Sequence, residues 1–140
     1  MVQALKSTTA LITSVLIAAL MTSCGGKDSH EKIMEGALGL MEDVVAIMED
    51  VKDKDSADTA AKKLDGLVGK FEKLADRSDA IGKPDEATEK ALEEKFEKRG
   101  EELAQKMMTT MLAVATKDPT IMKPLEGPME RIGKAMDKVK

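Results

Sequence analysis

The chain is 140 residues long, with 22 basic and 26 acidic residues, two Phe, no Trp or Tyr, one Cys and one His. The acidic balance excludes the basic patch that a nucleic-acid footprint needs, and the scarcity of rings removes the platforms that nucleotide, sugar and haem pockets use. A lone histidine excludes His-based zinc sites and the paired Glu-x-x-His of di-iron bundles, and no serine has a base with an orienting partner, so no enzyme and no cofactor are expected.

The first 23 residues hold one charge, Lys6, followed by the uncharged and largely apolar run "STTALITSVLIAAL". A bilayer span wants about 20 apolar residues; this run is shorter and ends before Gly25, Gly26 and a cluster of charges, so it predicts a removable leader. The cut site, "LMTSC" followed by "GG", resembles the lipobox of bacterial lipoproteins, with Met21 where leucine is more usual. The resemblance covers roughly the first 25 residues. It implies a diacylglyceryl group on the Cys24 sulfur, cleavage before Cys24 and acylation of the new amino group. Cys24 is the only cysteine, so it has no internal disulfide partner. Two or three acyl chains on one residue hold a membrane durably, whereas one chain at ~0.8 kcal/mol per buried CH₂ does so marginally. The absence of aspartate after the cysteine implies, by the same resemblance, the outer membrane in a host with two membranes.

Removing Lys6 with the leader leaves 117 residues with 21 basic against 26 acidic, a net charge of −5, enough for one small domain. The expected organisation is a leader over 1–23, lipidated Cys24 and a tether over 24–30, and a helical domain over 31–140. Ile33, Met34, Ala37, Leu40, Met41, Val44, Ile47, Met48 and Val51 keep the rhythm of one helical face and predict a first helix over about 29–52. "DKDSADT" then offers Asp55 or Ser56 as an N-cap; it lacks the central Gly and twelfth-position Glu of a calcium loop. A second helix runs to about Ala80, where Gly82 supplies a left-handed cap and Pro84 the first turn of the next helix. The third, over about 84–116, is the longest. Pro119, Pro124, Gly127 and Pro128 predict a short helical turn after Asp118 and a separate final helix from about Leu125 to Val139. The fold class is therefore all-α, an antiparallel bundle of three long helices and a shorter, proline-interrupted one, with Phe71 and Phe96 as large core fillers.

Two surface rows mark the third helix. Glu86, Lys90, Glu94, Lys98, Glu102 and Lys106 alternate in sign at spacing four, a solvated face in which each pair adds about 0.2–0.5 kcal/mol. Beside it, Asp85, Glu89, Glu93, Glu97 and Glu101 form an all-acidic ridge. Glu89, Glu93, Glu97 and Glu101 are the candidate contacts for a basic partner, against the simpler reading of a solvated acidic face.

Methionine recurs every seventh residue at Met34, Met41 and Met48 and again at Met122, Met129 and Met136, the seam spacing of a bundle helix. Residues seven apart are separated by about 10.5 Å along a helix, too far to share an ion. Within one helix, a soft metal such as Cu(I) would use the cluster Met107, Met108 and Met111, or His30 with Met34, and core filling is the commoner role of methionine. His30 reads as a tether residue near a helix start. The sequence thus points to a lipid-anchored interaction or structural module of the cell envelope, with a protein partner or self-association. The alternative is a Cu(I) or small-ligand carrier using the methionine cluster.

Overall fold

A computed structural model describes residues 28–139; the leader and Cys24 lie outside that range. The described residues form four helices and no strand: α1 (His30–Glu49), α2 (Lys54–Ile81), α3 (Glu86–Lys117) and α4 (Pro119–Met136). The fold is all-α.

Each helix begins at a side chain that satisfies backbone donors otherwise left without partners. Ser29 accepts from the Lys32 N–H, Asp85 from Thr88 and Asp118 from Thr120. Asp53, rather than Asp55 or Ser56, caps α2. Its carboxylate accepts from the Ser56 N–H at 2.8 Å while the Ser56 hydroxyl accepts from the Asp53 N–H at 2.9 Å. That reciprocal box places its partner three positions after the cap, where the Asp53 N–H and the Ser56 hydroxyl meet. Gly82, at φ 74°, ends α2 in the left-handed region that glycine enters without strain, donating to the carbonyls of Ser78 and Asp79. Pro84 precedes the α3 cap instead of opening the helix.

The C-terminal segment departs from expectation. Pro124 and Pro128 lie inside one continuous helix, which starts with Pro119 in its first turn and ends at Met136 rather than Val139. Each interior proline removes one backbone hydrogen bond. Burial compensates, because Ile121, Leu125, Pro128, Ile132 and Ala135 all face the core.

Inter-helix ion pairs fix the topology. Glu31, Glu42 and Glu49 of α1 meet Lys95, Arg99 and Lys106 of α3, so the two helices run parallel. The last two pairs share one offset of 57 residues. The far end of α2 returns to the start of α1, where Arg77 holds Asp28 and the His30 Nε2 lies 2.9 Å from the Gly82 carbonyl oxygen. Consecutive helices are antiparallel, but the packing neighbours are α1 with α2 and α3, and α4 with α2 and, least of all, α3. The pairs α2–α3 and α1–α4 stand on diagonals. Axes of packed helices are about 8–10 Å apart, so a diagonal is about 11–14 Å. The five steps from Ile81 to Glu86 reach about 17 Å when extended, enough to cross it.

Two apolar clusters hold the bundle. The larger joins all four helices through residues such as Val44, Met48, Leu64, Phe71, Leu103 and Leu125; the smaller joins Ile33, Ala37 and Leu74, with Val139 against it. Phe71 is fully buried in the larger cluster, and Phe96 is buried as well, though it belongs to neither cluster. Asp28, Ser29 and His30 are held by the bundle and belong to it rather than to a free tether.

Three substitutions check this account by urea denaturation. Ser56→Ala removes the acceptor for the Asp53 N–H and should cost about 1 kcal/mol. Asp53→Ala should also destabilise. The hydrogen bonds from Ser56 hold the Asp53 carboxyl below its ordinary range. Its contribution is therefore present above that range and fades as the pH falls through the lowered pKa. Pro124→Ala restores a donor inside a continuous helix and should raise stability by about 2 kcal/mol; no change would mean that the segment is interrupted there.

Candidate functional site

The stripe Met34, Met41, Met48 is graded in exposure: Met48 is fully buried, Met41 half-buried and Met34 36% exposed. On α4, Met122, Met129 and Met136 are all half-buried. This gradient follows from the weak contact between α3 and α4, which leaves the interior of the bundle open on that side.

Two cavities lie along the opening. The first, about 430 Å³, is floored by Ile33, Met34 and Leu38 of α1 and walled by Leu92 and Phe96 of α3, with Val139 at its edge. The second, about 560 Å³, is lined by Met41 of α1, Ala104, Met107, Met108, Met111 and Leu112 of α3, and Met122 of α4. Their lining residues place them end to end. From Leu92 to Met111, α3 rises about 28 Å, so together they make one apolar groove of helical length. Met108 and Leu112 stand 68% and 64% exposed at its far end, and Met34 opens at its near end.

Charge is confined to the near end. Glu89, Glu93 and Glu97 line the first cavity together with His30 and Gly100. All three carboxylates are exposed, and none takes part in an ion pair among the described residues. Most cations of the same stretch are engaged elsewhere: Lys95 with Glu31, and also 5.4 Å from the Phe96 ring centre; Lys98 with Glu102 on the solvated face; Arg99 with Glu42; Lys90 is exposed and takes part in no ion pair among the described residues. Of the alternating row, only Lys98 and Glu102 pair within α3 near this end, and Lys106 turns to Glu49 of α1 instead.

The structure thus brings Glu89, Glu93 and Glu97 together with an apolar surface that the sequence did not reveal. Glu101 is exposed and lines neither cavity. Asp85, at the head of the ridge, is spent as a cap, and its hydrogen bonds from Thr88 lower its pKa. Just before α1, the hydrogen bond from Arg77 likewise lowers the pKa of Asp28. Met107 is buried in the core, Met111 packs against the core and Met108 faces solvent, so the three thioethers do not stand in equivalent places. No three His, Cys, Asp or Glu side chains among the described residues are grouped to hold a metal ion. The missed feature is the groove itself, which depends on which helices are neighbours.

No helix among the described residues is long and apolar enough to cross a membrane. No family model matches the chain, and no curated protein or solved structure matches it significantly.

Proposed function

We propose that this chain is a membrane-anchored lipoprotein of the bacterial cell envelope whose bundle is a non-enzymatic docking module. The open apolar groove that runs along α1 and α3 supports the docking role, because water-exposed apolar surface of this extent is costly unless a partner covers it. The anchor rests on the resemblance of Leu20 to Gly26 to a lipobox. The two fit together in space: Arg77 holds Asp28, so only residues 25–27 separate Cys24 from the bundle. Four extended steps span about 14 Å. The end carrying His30, Glu89 and Val139 would then lie within about 14 Å of the bilayer, with the groove leading away from it.

The Cu(I) carrier reading is less well supported. The second cavity is wide and open, whereas a Cu(I) ion needs its sulfurs gathered around one point, and Met107 is committed to the core.

Mass spectrometry of the N-terminal peptide, with fractionation of the host envelope, tests the anchor. The expected result is an acylated N-terminal Cys24 in the membrane fraction, and Cys24→Ala should retain the leader and lose the acyl mass. An unmodified Cys24 in the wild-type chain would overturn the anchor.

A further inference from the structure

We propose that the occupant of the groove is a basic amphipathic helix, docked with its Lys or Arg residues over Glu89, Glu93 and Glu97 and its apolar face running toward Met108 and Leu112. The inference deepens the docking role proposed above and rests on it. Three observations select this class of partner.

The first is shape. Two cavities in line along α3, with α1 as floor, Met122 of α4 at the far end and Val139, beyond α4, at the near end, leave a trough about 28 Å long. Such a trough accepts one apolar helical face, read as anchors at every third or fourth residue. The second is charge. Glu89, Glu93 and Glu97 rise about 6 Å from one to the next and line an apolar wall, while Lys95, Lys98 and Arg99 are already paired. A cationic row at the same spacing meets one carboxylate per turn, whereas an acidic or neutral helix would leave these three charges uncompensated. The third is the lining. Met41, Met107, Met108, Met111 and Met122 make up most of the second cavity's wall and Met34 opens into the first, and unbranched, polarisable thioethers adapt to apolar side chains of varied shape.

Gly100 gives a test that separates docking from folding. It lines the first cavity, and a Cβ built there meets nothing within 4 Å. Gly100→Leu therefore fills the groove and also improves helix propensity. At the other end, Leu112 is largely exposed, so Leu112→Lys disturbs only the groove surface.

The experiment uses residues 25–140, and its probe is a fluorescein-labelled 18-residue helical peptide with a leucine face and three lysines at spacing four. A second peptide carries glutamate in place of each lysine, and an environment-sensitive apolar dye reports the groove by itself. The lysine peptide should bind, with the glutamate version about tenfold weaker. Glu89→Lys/Glu93→Lys/Glu97→Lys should weaken the lysine peptide about tenfold. Gly100→Leu and Leu112→Lys should each weaken it several-fold, with melting temperatures at or above wild type for Gly100→Leu. Binding unchanged by Gly100→Leu would mean diffuse attraction to a net acidic domain and would overturn the proposal. Dye binding lost in Gly100→Leu without any peptide binding would show a usable groove with a small apolar ligand as its occupant, overturning the helix but sparing the docking role. Absence of both dye and peptide binding would overturn the docking role as well.

Discussion

The parallel pairing of α1 with α3 is the constraint on which the rest of this structure depends. Two helices separated by a third in the chain become neighbours because the segment from Gly82 to Asp85 crosses the bundle diagonally, and glycine's positive φ at residue 82 turns the chain out of α2 to begin that crossing. Glu42 with Arg99 and Glu49 with Lys106 then repeat at a common offset. Each such half-exposed pair contributes at most about 1 kcal/mol, so apolar burial supplies the stability and the charges select the register.

Placing α3 beside α1 obliges α4 to pack against α2, and this has a functional consequence. The α2–α4 contact is the most extensive in the bundle and the α3–α4 contact the least. The interior is therefore sealed on three sides and open on the fourth. Methionines on α1, α3 and α4 surround the opening, and where the opening nears the start of α3 its wall carries three uncompensated carboxylates. Packing, not a specialised loop, shapes the site. Apart from Pro84 and Val139 at the edge of the first cavity, the lining residues are helical, so the surface is presented on a rigid frame.

Helix existence and order were legible because apolar spacing and capping residues are local signals. Ile33 to Val51 and Ala57 to Ala75 carry an uninterrupted helical rhythm, and Gly82 marks its turn by backbone chemistry alone. The α4 helix was misread as interrupted because propensity counts the donors lost at Pro124 and Pro128 and cannot count the burial of Leu125, Pro128 and Ile132 that offsets them. The Asp53 cap was missed by two residues because the box depends on Ser56 three positions on. Glu89, Glu93 and Glu97 could be picked out by spacing, but the apolar wall beside them could not. Leu92, Phe96 and Met34 look like ordinary core positions in sequence, and only the neighbour relations of the helices show that they line an open groove.

Zero-length carbodiimide cross-linking of the dilute, monomeric domain, with the products mapped by mass spectrometry, tests the helix arrangement most directly. The reagent joins a carboxylate to an amine only when the two are in contact, and α1 carries carboxylates whose partners differ between alternative bundles. The arrangement described here predicts amide links from Glu49 to Lys106 and from Glu31 to Lys95. Links from these α1 glutamates to Lys123 or Lys134 of α4, with none to α3, would contradict it, because α1 and α4 would then be neighbours and the groove would be closed.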